Sequence, residues 1–164
     1  MVALPRSAAA AAAAAAAVYL LDRATKAWAE SMLAVRGSVE ILPGVLHLTY
    51  TRNSGGAFGL GNSAPWFFAT ASLVISAIIV VAALRPHPTG TALAMGMILG
   101  GALGNLTDRA LHGPWFSGGV TDFVDLRVWP IFNLADSAIV IGATLLVLAV
   151  GRESRPTERE PDRG

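Results

Sequence analysis

The sequence predicts an all-α membrane protein: four transmembrane helices, with a small extramembrane β subdomain between the first two. Hydrophobic residues make up 54% of the 164 residues and charged residues only 14%, and the mean hydropathy is +0.56. This balance is far from that of a soluble domain, and the length fits one membrane-embedded domain, 1–164. Four apolar stretches predict the spans, at 8–29, 65–84, 89–106 and 131–150.

Composition excludes several classes of function. The chain has no cysteine, which excludes a disulfide framework, a thiol nucleophile and a thiolate metal site. A net charge of +1 gives no electrostatic basis for binding nucleic acid. The start of the chain resembles a signal peptide, with Arg6 ahead of an apolar run. Because three further apolar runs follow, we interpret it as a retained first membrane helix.

The first span combines a weakly lipophilic run with a charged group. Ala8–Ala17 is a strong helix former, but its insertion depends on the larger residues Val18–Leu21. Asp22 and Lys26 follow at i,i+4 spacing and share one helical face. Charge pattern alone favours an interfacial ion pair at a helix end.

The segment 37–60 changes to a strand-like pattern and is predicted to lie outside the membrane. Val45–Thr51 alternates in period two, and Pro43 and several glycines interrupt the segment, which predicts short strands. The glycines that follow Asn53 fit either a flexible loop or a close backbone approach to an extended peptide.

The third span carries a small-residue stripe. Gly96, Gly100 and Gly104 recur at i,i+4, so another helix can approach them closely. One further turn reaches Asp108. Asn105, Asp108 and Arg109 then project towards one side, which favours a site over a helix end that neutralises its own charges.

The fourth span begins after a connecting segment, 112–129, that contains Asp122. Asn133 and Asp136 stand at i,i+3 in the first turns of this span. The charged tail 151–164 is predicted to be disordered and cytoplasmic.

Topology brings the polar residues together. Four antiparallel spans place the end of span one, the start of span two, the end of span three and the start of span four on one side. The residues concerned are Asp22, Lys26, Asn53, Asn105, Asp108, Asp122 and Asp136. If Arg23, Lys26 and Arg109 are set aside as site residues, six cations against three place both termini in the cytoplasm. The site then lies near the extracytoplasmic face.

Two carboxylates at one membrane face predict hydrolytic chemistry. Asp122, Asp125 and Asp136 all stand in 120–136, and two carboxylates held close cannot both ionise cheaply, so such a pair shares a proton. One then serves as a base towards water, and the other polarises a carbonyl. The three histidines are scattered with no H-E-x-x-H motif. A Ser–Lys dyad would have to use Lys26, the only lysine.

Two other classes of protein remain open on the residues alone. A small proton- or ion-coupled transporter also uses intramembrane carboxylates. Its charges would usually lie at mid-membrane between internal repeats, whereas these cluster at one end. A noncatalytic assembly factor would use the glycine stripe to bind partner helices.

The chain resembles lipoprotein signal peptidase, also called signal peptidase II, a bacterial aspartic protease family. Five blocks of that family occur in order and together cover nearly the full length. They are Asp22–Lys26 (D-x-x-T-K), Asn53–Gly59, Gly100–Arg109, Val120–Phe123 and Phe132–Asp136 (F-N-x-A-D). A visible departure is Gly56, where alanine is also usual.

The resemblance implies an activity, a site and a location. Asp122 and Asp136 would be the catalytic pair. Substrate-binding residues would be Asn53, Asn105, Arg109 and Asn133, and supporting polar residues Asp22, Lys26 and Asp108. The family cleaves diacylglyceryl-modified prolipoproteins on the amino side of the lipidated cysteine, without metal or cofactor. We therefore expect a monomeric, multi-pass protein of the bacterial inner membrane, in contact with lipid and with the prolipoprotein signal peptide.

Overall fold

Helices and one antiparallel sheet make up the protein, for which the computed structural model describes residues 5–54 and 65–153. The helices are α1 (Arg6–Arg36), α2 (Pro65–Ala83), α3 (Thr89–Leu111) and α4 (Leu134–Glu153). The strands are β1 (Val39–Leu42), β2 (Leu46–Asn53) and β3 (Val120–Asp125), in the order β1-β2-β3. Within the described residues, α1, α2 and α3 are long and apolar enough to cross a membrane, and α4 has a shorter apolar stretch.

Helix α3 lies at the centre because its small residues let two helices approach. A Cβ added at Gly100 would lie 2.5 Å from the carbonyl oxygen of Ala15 in α1. On another side of α3, a Cβ at Gly101 would lie 2.6 Å from the carbonyl oxygen of Ala135 in α4. The predicted glycine stripe is therefore confirmed as the contact between α1 and α3, and the adjacent Gly101 provides the contact with α4.

The sheet packs on the last turns of α1. At 1.5 Å per residue, 31 residues extend over about 46 Å, more than the roughly 30 Å of hydrocarbon in a bilayer. Ala29 and Leu33 of α1 are buried against Phe123 of β3. The helix therefore continues seven residues beyond the predicted end of the first span at residue 29. The helix continues until Gly37, whose φ of +78° ends it.

The predicted strands in 37–60 are confirmed as β1 and β2, while 55–60 lie outside the described residues. The segment 112–129, however, was wrongly predicted to be only a connection, because it contains β3. β3 pairs antiparallel with β2, with Asn53 opposite Val120 and His47 opposite Asp125. The alternating sequence VTDFVD was the available signal, and its pairing partner lies about 70 residues away along the chain.

The ends of the last two helices also differ from the predicted spans. α3 runs to Leu111, beyond the predicted residue 106. α4 begins at Leu134 and not at 131, because backbone hydrogen bonds between Phe132 and β3 hold this approach extended. Gly151–Glu153 are helical, so the predicted disordered tail begins too early, and 154–164 lie outside the described residues.

Candidate active site

β3 and the start of α4 bring the two predicted catalytic carboxylates together. Asp122 lies on β3 with 2% of its surface exposed, and Asp136 lies in the first turn of α4. Both line one cavity of about 340 Å³. The amino end of a helix favours a negative charge such as that of Asp136.

Asn133 connects the two carboxylates. Its side-chain oxygen accepts from the Asp136 backbone nitrogen at 2.9 Å, and its own backbone nitrogen donates to Asp136 Oδ2 at 3.2 Å. This reciprocal pair caps α4, in the manner of a capping box. The Asn133 Nδ2 donates to Asp122 Oδ1 at 2.6 Å. The fully buried Asn133 therefore shapes the site and contacts both acids.

Two further asparagines complete the polar contacts of the acids. Asn53, at the end of β2, donates to Asp122 Oδ2 at 3.1 Å. Asn105, on α3, donates to Asp136 Oδ1 at 2.9 Å. Both asparagines line the same cavity. Each carboxylate thus accepts at least two hydrogen bonds, which hold it in a fixed orientation.

Arg109 gives the cavity a positive group. Its guanidinium donates to the carbonyl oxygen of Gly118 at 3.2 Å and lies 5.5 Å from the ring centroid of Phe68 on α2. A cation at that distance from an aromatic face is attracted to it. Helices α2 and α3 therefore both position Arg109.

The environment of Asp122 favours its protonated form. Burial raises the pKa of Asp122 to about 7, and the charge of Asp136 acts in the same direction. Hydrogen bonds from Asn53 and Asn133 and the more distant charge of Lys26 oppose this rise. At neutral pH the two acids can therefore hold one proton between them, as a general acid and a general base require.

The remaining cavity wall is largely apolar. Most of it comes from α2 and from the approach to α4, namely Phe68, Ala71, Ile75, Trp129, Ile131 and Phe132. Sequence reasoning missed these residues because apolar side chains are common throughout the spans and carry no positional signal. The wall makes the cavity suitable for a mainly apolar segment.

Asp22, Lys26 and Asp108 lie behind the cavity wall and do not line it. The Lys26 Nζ is 2.9 Å from a carboxylate oxygen of each acid, and all three side chains are fully buried. Arg23 also pairs with Asp108. The interpretation of Asp22 and Lys26 as an interfacial pair at a helix end was wrong, because α1 continues ten residues beyond Lys26.

Asp125 is separate from this site. Its Oδ1 accepts from the backbone nitrogen of Arg127 at 2.8 Å, and Arg127 has a φ of +65°. Asp125 is absent from the cavity lining. It therefore stabilises the turn after β3.

Comparison with known proteins identifies the family. The profile of the family described as Signal peptidase (SPase) II matches residues 14–152. The lipoprotein signal peptidase of Syntrophomonas wolfei is 46% identical over 143 residues, which cover 87% of this chain and 93% of that protein. That of Pelotomaculum thermopropionicum is 40% identical over 145 residues, covering 87% and 92%.

Solved structures agree in fold. A bacterial membrane enzyme determined by the in meso method at 2.3 Å resolution superimposes with a TM-score of 0.76 at 30% identity. The match covers 92% of this chain and 93% of that one. A second such structure, at 1.9 Å, gives a TM-score of 0.73 at 30% identity over 88% of this chain and 94% of the other. The chain therefore belongs to the signal peptidase II family of bacterial membrane enzymes, and it is an aspartic-type peptidase.

Proposed function

We propose that this protein removes the signal peptide from diacylglyceryl-modified prolipoproteins, cleaving on the amino side of the lipidated cysteine, with Asp122 and Asp136 as its catalytic pair. One observation carries the proposal: both carboxylates line a single, mainly apolar cavity and are connected by Asn133. The names of the relatives, all lipoprotein signal peptidases, support the substrate class.

The pair would act as a general acid and a general base. The ionised carboxylate takes a proton from water, whose oxygen attacks the scissile carbonyl carbon, while the protonated carboxyl donates to the carbonyl oxygen. When the tetrahedral intermediate collapses, the C–N bond breaks and the amide nitrogen takes up a proton from the pair. No covalent intermediate forms.

The neighbouring polar groups would hold the substrate and the acids. Asn53, Asn105 and Arg109 line the cavity and would contact the peptide backbone. Asn133 is 0% exposed and would act by orienting the acids. β1, at one edge of the sheet, is exposed along its length. Within residues 5–54 and 65–153 its outer edge has no strand partner, so an extended peptide could add to the sheet there.

The membrane arrangement belongs to the same proposal. Four crossings, cytoplasmic termini and a site near the extracytoplasmic face of the inner membrane place the cavity where lipid chains would hold the scissile bond. We propose that a monomer suffices, because all the acids and asparagines of the cavity come from one chain. A transporter or an assembly factor would leave the match to a peptidase family unexplained.

Replacement of either catalytic acid tests the proposal. Asp122→Asn and Asp136→Asn keep the shape of the side chain but remove the acid, so turnover should fall at least about a thousandfold. Cleavage of a lipidated prolipoprotein in detergent measures turnover, and helical circular dichroism checks folding. Asp125→Asn is the matched control on the same strand and should retain turnover. Comparable activity in all three variants would reject the assignment.

A further inference from the structure

The single lysine of the chain connects a buried charge cluster to one catalytic acid. The Lys26 ammonium forms ion pairs with a carboxylate oxygen of Asp22 and of Asp108, both at 2.9 Å, and donates a hydrogen bond to Asn105 Oδ1 at 2.8 Å. An ammonium group has no acceptor. The oxygen end of the Asn105 amide must therefore face Lys26.

This orientation determines what Asn105 presents to the cavity. With Oδ1 towards Lys26, Nδ2 points to Asp136 and donates to its Oδ1 at 2.9 Å. Asn133 strengthens the arrangement, because its Nδ2 also approaches Asn105 Oδ1, at 3.3 Å, and its backbone nitrogen donates to Asp136 Oδ2. Both oxygens of Asp136 accept hydrogen bonds, from Asn105 Nδ2 and from the Asn133 backbone nitrogen, which fix the orientation of this carboxyl group.

We infer that Lys26 is a positioning residue, which fixes the Asn105 amide so that Asp136 stays ionised as the base while Asp122 carries the shared proton. This inference rests on the proposed roles of the two acids. Burial of Asp122, at 2% exposure, supports the same division.

The charges around Asp136 come from several elements. They are Asp122 on β3, Arg109 on α3, and Lys26 on α1 with its partners Asp22 and Asp108. The lining residues that α2 contributes, Phe68, Ala71, Ser72 and Ile75, are uncharged. Among these charged groups, and within the described part of the chain, Lys26 alone contacts Asn105 directly.

Lys26→Met and Arg23→Met form a matched pair, because each removes a cation of α1 that pairs with Asp108, and only Lys26 contacts Asn105. Lys26→Met should lower kcat about 10- to 100-fold, the effect of one hydrogen bond to a charged group. It should leave KM nearly unchanged and move the acidic limb of the pH–rate profile to higher pH. Arg23→Met should keep the wild-type limb. Equal kcat and pH limbs in the two variants would overturn the inference.

A second variant, in which the buried charges stay balanced, controls for the possibility that Lys26→Met does not fold. If Lys26→Met does not fold, Asp22→Asn/Lys26→Met removes both charges of the buried pair and keeps an oxygen for the Ala135 backbone nitrogen, which Asp22 binds at 3.1 Å. The same shift of the pH limb is expected. A wild-type limb in this double variant would contradict the role of Lys26.

A spectroscopic measurement separates this inference from the proposed function. The chain has four asparagines, so [15N]asparagine labelling gives few side-chain amide signals. The signal that disappears in Asn105→Ala is that of the Asn105 side chain. In the wild type and Arg23→Met, this signal should titrate at the same pH; in Lys26→Met, it should titrate at higher pH. An unchanged titration, or none, would reject Lys26 as a positioning residue. A shifted titration in a protein that cleaves no prolipoprotein would reject only the proposed function.

Discussion

At the scale of single residues, burial and hydrogen bonding give the two acids, Asp122 and Asp136, different surroundings. Asn133 offers its side-chain NH₂ to Asp122 and its backbone N–H to Asp136. Because it caps α4 at the same time, its amide cannot rotate without loss of the cap. The relative orientation of the pair is therefore built into the start of the helix.

The raised pKa of Asp122 predicts a pH-dependent stability. Between an unfolded pKa near 3.8 and a folded pKa of about 7, the folded state binds the Asp122 proton more tightly. The contribution of Asp122 to stability is therefore greatest below about pH 4 and is lost as pH rises to 7. The loss is of the order of 4 kcal/mol for about three pKa units. Asp122→Asn should remove it.

Thermal unfolding in detergent measures this effect. The Tm of Asp122→Asn should match that of the wild type near pH 4, exceed it increasingly as pH rises to about 7 and keep a constant lead above that. Asp125→Asn serves as the control, since its carboxylate is held by Arg127 outside the cavity. A constant Tm difference between Asp122→Asn and the wild type across this range would contradict a protonated, buried Asp122.

At the scale of elements, the sequence pattern predicted the features that depend on the composition and spacing of a single segment. The helices follow from apolar length, and the Gly96–Gly104 stripe follows from its spacing. A close contact with another helix was expected there, and the structure shows that this helix is α1. The convergence of Asp122 and Asp136 also followed, because antiparallel spans bring fixed ends together. β3 and the late start of α4 did not follow, since both depend on hydrogen bonds between distant segments, such as Phe132 with Val124. The burial of Lys26 was missed for the same reason, because its partner Asp108 lies on another helix.

The glycine stripe should tolerate no side chain where α1 crosses α3. In Gly100→Ala, the new Cβ would lie 2.5 Å from the Ala15 carbonyl oxygen and 2.8 Å from the Val18 Cβ. The helices must then separate, which costs about 1–3 kcal/mol and lowers Tm. Gly90→Ala, in the same helix, has nothing within 4 Å of the added Cβ and should leave Tm equal or higher. Equal Tm values for the two variants would contradict the close crossing.

At the scale of the whole molecule, the polar groups gather at one end of the bundle. The sheet, the cavity and the buried charges around Lys26 all lie towards that end, while Arg85 and His87 in the connection from α2 to α3 mark the other. His87 also holds this opposite end together, because its backbone nitrogen donates to the Ser7 hydroxyl at 3.2 Å. The proposed topology assigns the sheet end to the extracytoplasmic side and the end with Arg85 and His87 to the cytoplasmic side.

Single cysteines can test this topology without background, because the chain has none of its own. Val45→Cys lies in the turn between β1 and β2, where Val45 is 58% exposed, and Pro86→Cys lies in the exposed connection between α2 and α3. With four crossings and cytoplasmic termini, a membrane-impermeant maleimide should label Val45→Cys in intact spheroplasts. It should label Pro86→Cys only after the membrane is permeabilised. The reverse pattern would place Asp122 and Asp136 on the cytoplasmic side. Labelling of both cysteines in intact spheroplasts would show that the two turns lie on the same side of the membrane, so that α2 does not cross it.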